Sequence, residues 1–267
     1  MLSIVVVNFK NPALLRLCLK SLIRAVSSRL DYEIIVVDSM STIQTRNVVS
    51  EEFKGVRLLP YQGNIGYTFG VNEGIRNARG DFFLILNPDI VPLENSIEKM
   101  VEYLKSHPDV GLLGPRLLNF DGTVQDSCFR FYTVWTILYR RTFLGYLPWG
   151  RKHLRNFSLK DSNLLTATDA NWLMGSALMA GRKAVEKVGL MDEKLFLYFS
   201  EVDWARRFWE NGYKVVYYPE AEMYHYHQRG SKGRFAALDL FLKKEARWHL
   251  KDAFGYFKKY WSKPWPV

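Results

Sequence analysis

Residues 3–12 read SIVVVNFKNP, a run rich in β-branched residues that ends in asparagine and is followed by an Asn-Pro pair. The run predicts a buried strand, because β-branched side chains favour a pleated surface and an unbroken apolar strand has both faces covered. Asn11 and Pro12 are typical of a helix N-cap and of the first helical position. The chain is therefore expected to begin with a strand and a helix.

The same alternation continues through the first hundred residues. Further strands are predicted at Glu33–Asp38, Val56–Pro60 and Asp81–Leu86, and helices at about Ser41–Phe53, Tyr67–Ala78 and Leu93–Ser106. Apolar strands that alternate with helices form a mostly parallel sheet with helices on both faces. We therefore expect an α/β fold of Rossmann-like type, in which Asn8, Asp38 and Asn87-Pro88-Asp89 meet beyond the carboxyl ends of the strands.

The alternation fades after Val110. Asn119-Phe120-Asp121-Gly122 predicts a hairpin turn, and residues 125–166 lack clear periodicity, so we interpret them as a mobile or partner-facing insertion. Beyond the insertion we expect a strand at Trp172–Ala180, helices at Arg182–Val188 and Ser200–Asn211, a strand at Lys214–Tyr218, and a basic aromatic helix at Phe235–Trp261.

Composition and charge narrow the class of protein. The 267 residues are 48% hydrophobic and 24% charged, which is ordinary for a globular protein. Lys and Arg number 37 and Asp and Glu 27, so the net charge of +10 favours an anionic partner such as nucleic acid, a membrane surface or a phosphate-bearing substrate. The two cysteines are too few for a disulfide scaffold, and the chain has neither a signal peptide nor a long apolar run, so we expect a cytoplasmic protein that does not span the membrane.

Polar groups at the predicted strand ends can each be interpreted as a ligand contact or as part of the local backbone structure. Asp38 can hydrogen-bond a ligand or cap the next helix. The glycine-rich segment 63–70 can present backbone N–H groups to a phosphate, although it matches neither the dinucleotide-binding nor the P-loop pattern. Asn87-Pro88-Asp89 can hold a divalent cation through its carboxylate or form an Asn-Pro turn.

Acidic and histidine residues in the second half are candidates for chemistry. Glu201 follows an aromatic run at a helix start, an environment that can tune a carboxylate as a general base. Asp203 stands three residues after Ser200, a spacing that predicts a capping box and favours a structural role. His225 and His227 share one face of a strand, which suits metal or phosphate contact as well as an ordinary surface pair.

In this order the motifs resemble those of family 2 glycosyltransferases of the GT-A fold. The first half contributes Ser3 to Asn8, Ile35 to Asp38 with Ser41, Asn64-Ile65-Gly66-Tyr67, Asn72-Glu73-Gly74 and Leu86 to Asp89. The second half looks like the acceptor half of the rhamnosyltransferase-like branch, through Gly175 to Met179, Arg182, Val188 to Glu193, Phe196 to Asp203, Arg207, Gly212-Tyr213 and His225.

The resemblance implies transfer of a sugar from a nucleoside diphosphate donor, with inversion at the anomeric carbon. It assigns the donor to Val7, Asn8, Asp38, Ser41, Gly66, Asn72, Asn87 and Asp89, a divalent cation (Mg²⁺ or Mn²⁺) to Asp89 and His225, the acceptor to Trp172, Gly175 and Asp203, and the catalytic base to Glu201. Three positions depart from the family pattern: Asn87 replaces the first Asp of a DxD motif, Ser200-Glu201 replaces Glu-Asp, and Ile43 replaces a second nucleotide-motif Asp.

The resemblance covers roughly residues 1–231, with a nucleotide-binding half at about 1–118 and an acceptor half at about 119–231. Residues 232–267 form a basic, aromatic extension that either lies in an anionic membrane interface or packs on the core with its basic face outward. The expected partners are a nucleoside diphosphate sugar, for example one that carries rhamnose, and a glycan or lipid-linked acceptor. A third expected partner is an anionic membrane surface, on the inner face of the membrane. No nucleic-acid partner is expected, and no oligomeric state is predicted.

Two other functions fit part of the sequence. A nucleotidyltransferase would need a basic, glycine-rich loop for the triphosphate early in the chain, and only Lys10 follows Asn8 there. A nucleic-acid-binding module without catalysis would explain the charge, but Lys and Arg are spread along the chain rather than gathered in a recognised motif.

Overall fold

In the computed structural model, which describes residues 1–26, 30–226 and 244–266, the chain begins with the strand and helix that its sequence predicts. Strand β1 spans Leu2–Phe9 and helix α1 spans Pro12–Ala25. The side chain of Asn11 accepts a hydrogen bond from the Leu14 amide at 3.1 Å, so the predicted N-cap is confirmed.

Within residues 1–118 the predicted alternation of strands and helices is confirmed, and two further strands, at Ile90–Pro92 and Val110–Leu118, were not predicted. The elements after α1 are β2 (Tyr32–Ser39), α2 (Ile43–Glu52), β3 (Val56–Tyr61), α3 (Tyr67–Asn77), β4 (Phe82–Leu86), β5 (Ile90–Pro92), α4 (Ser96–Ser106) and β6 (Val110–Leu118). The acceptor half contains β7 (Cys128–Phe129), α5 (Val134–Arg141), a 3-10 turn (Phe143–Tyr146), α6 (Pro148–Phe157), β8 (Thr168–Asp169), β9 (Trp172–Leu173), β10 (Ala177–Gly181), α7 (Arg182–Val188), α8 (Ser200–Glu210) and β11 (Lys214–His225). The extension contains α9 (Lys244–Tyr260).

The central sheet has the strand order β3-β2-β1-β4-β10-β6-β11-β5, with β8 paired to β11. Strands β3, β2, β1 and β4 are parallel, as predicted. Strand β10 then runs antiparallel to both β4 and β6, while β11 is parallel to β6 and antiparallel to β5. The α/β fold is confirmed, and its second half mixes strand directions around β10.

Alternate residues of each central strand enter opposite cores. Val5, Val7, Ile35 and Val37 join one core with α3, α7, α8 and α9, whereas Ile4, Val6, Ile34 and Val36 join the other with α1, α2 and α4. Both faces of the sheet are therefore covered, which is why its strands read as continuous apolar runs rather than as alternating ones.

Several predictions in the acceptor half are wrong in detail. Trp172–Ala180 is not one strand: β9 pairs with β7 in a separate two-stranded sheet, and β10 returns to the central sheet. The residues 125–166 that lack periodicity contain α5 and α6, two short helices joined by the 3-10 turn. The predicted turn at Asn119 is confirmed by a hydrogen bond of 2.8 Å from its amide to the Thr123 carbonyl.

The predicted capping box at α8 does not form. The N-cap is Phe199, whose backbone is left-handed with φ of 63°, and Ser200 is already helical. The Asp203 carboxylate instead pairs with Arg207, four residues further along the helix, at 2.9 Å.

Helix α9 packs on the core, as one of the two interpretations of the extension predicts. Its buried face carries Ala253, Tyr256 and Tyr260, while Phe254 and Trp261 are exposed. In the described part of the chain no helix is both long enough and apolar enough to cross a membrane. Residues 227–243, which include His227 and the predicted start of this helix at Phe235, lie outside the described ranges.

Candidate active site

A cleft of about 370 Å³ lies at the carboxyl ends of β1, β2 and β4, where the topology predicts a ligand site. Its walls include the predicted donor residues Val7, Gly66, Asn87 and Asp89. Other lining residues come from α1 and its approach, the loop before α3, the segment before α8, and the extension: Phe9, Asn11, Leu14, Ser39, Asn64, Tyr67, Phe196, Leu197, Tyr226 and Trp248.

Asn8 and Asp38 pair side by side on β1 and β2; neither lines the cleft, but each is next in the chain to a residue that does, Val7 or Ser39. The Asn8 amide nitrogen donates to Asp38 Oδ1 at 2.7 Å, and neither side chain is exposed. Among the described residues, Asn8 Oδ1 and Asp38 Oδ2 have no hydrogen-bond partner. Two unsatisfied acceptors at adjacent strand ends are suited to the N–H and hydroxyl donors of a nucleoside.

Gly66 gives the loop before α3 a backbone shape that few other residues adopt. Its φ is +76°, and a Cβ at this position would lie 2.6 Å from the ring of Phe196. Because Phe196 also lines the cleft, the absence of a side chain at Gly66 brings two walls of the site together.

Asp89 and His225 face each other at the edge of the cleft. Asp89 Oδ2 lies 3.6 Å from His225 Nε2, and Asp89 Oδ1 is buried without a hydrogen-bond partner among the described residues. Burial raises the pKa of Asp89 to about 6, because a carboxylate away from water favours its neutral form. A cation beside it would reverse that preference.

Gln125 orients the histidine. Its amide nitrogen donates to Asn119 Oδ1 and to the His225 carbonyl, so its Oε1, 2.8 Å from His225 Nδ1, accepts the imidazole proton. The proton on Nδ1 leaves a lone pair on Nε2, the atom that faces Asp89. This tautomer suits binding of a metal ion through Nε2.

Glu201 lies near Tyr67, which connects it to the cleft. Tyr67 lines the cleft and donates from its hydroxyl to the Gly175 carbonyl at 2.5 Å, and a Cβ on Gly175 would lie 3.6 Å from Glu201 Cβ. Burial raises the pKa of Glu201 to about 7, against the lowering effect of its own amide and of the Ser200 hydroxyl. A carboxylate with a pKa near neutrality is suited to accept a proton from an acceptor hydroxyl.

Four predicted site residues have their polar groups engaged within the protein. Asn72 is buried, and its amide nitrogen donates to the Met191 carbonyl and to Glu193, each at 2.9 Å. Ser41 Oγ accepts from the Arg46 guanidinium at 3.2 Å. The Trp172 indole N–H donates to the Arg130 carbonyl at 2.8 Å, and its ring stacks on Phe129. For these three residues, ligand contact stays a prediction.

Asp203 is the fourth, and it holds α9 in place. Besides Arg207, it accepts a hydrogen bond from the Tyr260 hydroxyl at 2.8 Å and pairs with Lys259 at 2.6 Å. Its side chain has no exposed surface. Its contact with Arg207 lies within α8, and its contacts with Tyr260 and Lys259 join α8 to the extension. Asp203 therefore has a structural role, although not the capping role that its spacing predicts.

The extension contributes to the site in a way that the sequence did not reveal. Asp252 of α9 is buried and accepts backbone hydrogen bonds from Phe196, Leu197 and Tyr198, at 3.2, 3.0 and 3.0 Å. Trp248, one turn earlier, lines the cleft and packs on Phe196. The segment that leads into Glu201 is thus held from behind by α9.

Sequence reasoning missed Gln125, Tyr67, Trp248 and Asp252. Tyr67 could have been predicted, because it is the first residue of the helix that follows Gly66, and a helix start after a strand is a usual ligand position. Gln125, Trp248 and Asp252 have no local pattern, since each acts on residues far away in the chain.

The fold and the site define a class of protein: an α/β enzyme of GT-A architecture with a nucleotide-sized cleft at its strand ends. The sequence profile described as "Glycosyl transferase family 2" matches residues 3–178, and the chain belongs to that family. It is a glycosyltransferase, and the alternatives of a nucleotidyltransferase and a nucleic-acid-binding module are set aside.

Relatives and solved structures agree with this assignment. An N-acetylglucosaminyl-diphospho-decaprenol L-rhamnosyltransferase of Mycobacterium tuberculosis is 29% identical over 220 residues, which are 78% of this chain and 70% of that protein. The rhamnosyltransferase WbbL of Escherichia coli K12 is 22% identical over 237 residues, 85% of this chain and 83% of that one.

Two solved structures share the fold. GalNAc-T7 with UDP, GalNAc and Mn²⁺ superposes with a TM-score of 0.66 at 16% identity over 88% of this chain, which spans 44% of that structure's length. The mannosyltransferase PcManGT of Pyrobaculum calidifontis with GDP-Man and Mn²⁺ has a TM-score of 0.59 at 15% identity, and the match covers 98% of this chain and 75% of that one.

Proposed function

We propose that this protein transfers a sugar, rhamnose by analogy with its relatives, from a nucleoside diphosphate donor to a lipid-linked or glycan acceptor, with inversion at the anomeric carbon. The observation that carries the proposal is the arrangement of two tuned carboxylates around one cleft. Asp89 stands at the strand end beside His225, and Glu201 stands across Tyr67 from the same space.

A divalent cation fits beside Asp89. The buried and unsatisfied Asp89 Oδ1 and the Nε2 lone pair of His225 are two suitable ligands, and Mg²⁺ commonly takes only one or two protein ligands when phosphate oxygens fill other positions. Such a cation would neutralise charge on the departing diphosphate. Mn²⁺ in the two similar solved structures supports this proposal.

The protein's own residues account for the proton. Glu201, as carboxylate, accepts the proton of an acceptor hydroxyl while the oxygen forms its bond to the anomeric carbon. The bond from that carbon to the diphosphate oxygen breaks, and its electron pair leaves with the nucleoside diphosphate. One displacement of this kind inverts the configuration and needs no covalent sugar on the protein.

The donor's nucleoside fits the strand ends. Asn8 and Asp38 offer buried acceptor atoms at the strand ends next to the cleft, and Gly66 and Asn64 line the cleft itself. The acceptor would enter from the side of Gly175 and Trp172, which belong to the acceptor half of the chain. The named acceptor of the mycobacterial relative, a glycosyl diphospho-lipid, supports a lipid-linked acceptor here.

Peripheral contact with an anionic membrane follows from that acceptor. Exposed aromatic side chains stand beside basic ones both on α5 to α6 and at the end of α9, as in helices that lie in a membrane interface. Examples are Trp135, Phe143, Tyr146, Trp149, Phe254 and Trp261.

A donor panel tests the proposal. The purified protein is incubated with individual nucleoside diphosphate sugars and Mg²⁺ or Mn²⁺, and release of nucleoside diphosphate is measured with and without a glycosyl diphospho-lipid. Glu201→Gln should abolish transfer and preserve donor binding, because the amide keeps the shape but accepts no proton. Failure of every donor to bind, or near-normal turnover by Glu201→Gln, would overturn the proposal.

A further inference from the structure

A second cavity of about 470 Å³, larger than the cleft, lies within the acceptor half. It is an open pocket lined by α5, the 3-10 turn, α6 and the residues that follow α6, together with Asp126 and β7, and we call it the hairpin pocket. Its apolar floor includes Phe129, Leu154 and Phe157. The hairpin pocket shares no lining residue with the cleft described above.

The hairpin pocket is strongly cationic. Arg140, Arg151, Arg155 and Lys160 line it, together with a single carboxylate, that of Asp126. Asp126 pairs with Lys160 at 3.2 Å, and Arg155 pairs with Asp161 at 2.8 Å.

Two of these cations keep their charge uncompensated. Within residues 1–26, 30–226 and 244–266, neither Arg140 nor Arg151 has a carboxylate within ion-pair distance. The Arg140 guanidinium donates to the hydroxyl of Tyr132, which is neutral, and lies 5.7 Å from the centre of the Phe157 ring. Arg140 and Arg151 are both exposed, so an anion that enters the pocket can reach them. The forked geometry of a guanidinium group matches a phosphoryl group.

Large aromatic side chains surround the hairpin pocket on the protein surface. Tyr146, which also lines the cavity, is 76% exposed, and Phe143 and Trp149 are 73% and 59% exposed. Exposed rings that stand close together mark a surface that contacts a partner, and aromatic rings beside basic residues are typical of a surface that enters a membrane interface. The anion-binding groups thus stand beside a surface suited to lipid.

Close backbone packing gives the hairpin pocket its shape. A Cβ on Gly145 would lie 2.1 Å from the Tyr139 carbonyl oxygen, and a Cβ on Gly150 would lie 2.1 Å from the Leu144 carbonyl oxygen. Thr136 Oγ1 and His153 Nε2, 2.8 Å apart, join α5 to α6. The hairpin therefore presents its cations from fixed backbone positions rather than from a loose loop.

An aromatic wall connects the hairpin pocket with the surroundings of Glu201. Tyr132, which accepts from Arg140, packs on Phe199 with ring centres 4.9 Å apart, and Phe199 is the N-cap of the helix that carries Glu201. The Glu201 carboxylate also contributes to raising the pKa of Tyr132, although burial is the larger cause.

We propose that the hairpin pocket binds the phosphoryl headgroup of the lipid that carries the acceptor sugar, with the exposed rings in the membrane interface. The proposal rests on the proposed function for the identity of the acceptor, and it names the part of the protein that holds it. Arg140 and Arg151 bind the phosphoryl oxygens, and Phe143, Tyr146 and Trp149 contact the lipid.

Vesicle co-sedimentation without any sugar donor tests this proposal. The full chain is mixed, at one physiological salt concentration, with phosphatidylcholine vesicles that contain a few per cent of a long-chain polyprenyl diphosphate. Vesicles of equal charge made with phosphatidylglycerol report general attraction to anionic lipid. Inorganic pyrophosphate as competitor, and in a separate direct titration, distinguishes a lipid headgroup from a free phosphate.

Matched variants locate the binding site. Arg151→Ala removes a cation from the pocket, Arg151→Lys keeps the charge without the fork, and Lys152→Ala removes the neighbouring exposed charge, which does not line the pocket. Loss of one charge-assisted contact corresponds to about a tenfold loss of affinity. We expect that loss for Arg151→Ala, partial recovery for Arg151→Lys, and less than a twofold effect for Lys152→Ala.

The outcomes separate this proposal from the proposed function. The proposal is supported if the protein prefers the diphosphate vesicles, if pyrophosphate competes, and if vesicle binding weakens in Arg151→Ala but not in Lys152→Ala. None of these results depends on a sugar donor or on sugar transfer. Equal binding to phosphatidylglycerol vesicles, equal losses in Arg151→Ala and Lys152→Ala, or pyrophosphate binding that lipid does not strengthen would each overturn it. Glu201→Gln should bind the vesicles like the unaltered protein.

Discussion

Replacement of Asp252 should uncouple α9 from the segment that leads into Glu201. The Asp252 carboxylate is 1% exposed and accepts backbone hydrogen bonds from Phe196, Leu197 and Tyr198. Truncation to alanine leaves three N–H groups without their acceptor. It also leaves a cavity at the contact between α9 and the core.

The magnitude follows from the number and kind of these hydrogen bonds. A hydrogen bond to a charged group contributes about 1.5–3 kcal/mol, but three bonds that share one carboxylate are not additive. We expect Asp252→Ala to lower the free energy of unfolding by about 3–5 kcal/mol, as for other buried charged networks that lose one partner. Asp252→Asn keeps one acceptor oxygen and should lose about 1–3 kcal/mol.

Urea unfolding measures the effect, and turnover measures its consequence for the site. Because the released segment ends at the N-cap of the helix that carries Glu201, kcat should fall by at least about tenfold in Asp252→Ala. Asp109→Asn is the control: that carboxylate forms only a half-exposed pair with Lys214, so its loss should leave the unfolding midpoint close to the original. If Asp252→Ala and Asp109→Asn unfolded at the same urea concentration, the clamp by α9 would be refuted.

Three further outcomes are expected. Burial raises the pKa of Glu201 to about 7, and a general base acts in its deprotonated form, so kcat/KM should rise with pH through about 7. Below pH 6 it should fall roughly tenfold per pH unit. A flat profile from about pH 5.5 to 8.5 would contradict the assignment of Glu201 as the base. Asp89→Asn should remove the strengthening of nucleoside diphosphate binding by Mn²⁺ in calorimetry, and an unchanged metal effect would place the cation elsewhere. Gly66→Ala should lower Tm, because its positive φ costs about 1–3 kcal/mol for a residue with a side chain and its Cβ would clash with Phe196. Gly63→Ala should leave Tm unchanged, because a Cβ there would have no neighbour within 4 Å.

The nucleotide-binding half could be predicted closely from the sequence. Its strands are buried on both faces, so burial and periodicity coincide in the same residues, and the N-cap at Asn11 marks a helix start by local chemistry alone. The positions of Asn8, Asp38 and Asp89 follow from strand ends in a parallel sheet. Their convergence is a property of the topology and needs no long-range information.

The chain beyond Val110 was harder to predict, for physical reasons that differ from place to place. Strand β6 was missed because Gly111, Gly114 and Pro115 interrupt its apolar run, yet the two glycines are needed for close contact with Phe208 and Leu173. Trp172–Ala180 read as one strand because no proline marks the change of sheet. Strand β11 continues beyond Tyr218 through a register shift that absorbs Pro219.

The candidate site was predicted only where its residues act locally. Glu201 and His225 stand in recognisable patterns, but Asp252 and Gln125 act through partners 54–56 and 100 residues away, so nothing in their own neighbourhood marks them. Asp203 shows the converse, because a local pattern predicted a cap where the folded chain uses the carboxylate to secure α9.

The contact between Asp252 and the segment at Phe196–Tyr198 also sets an order of events during synthesis. The ribosome releases the central sheet and the helix of Glu201 before it releases α9. A nascent chain can therefore bury much of its core while the segment that leads into Glu201 still lacks its contact with Asp252. Full competence for sugar transfer would then begin only when the extension docks. A premature stop between residues 226 and 251 would leave every strand of the central sheet in place but remove Asp252, and such a protein should turn over more slowly than the full chain.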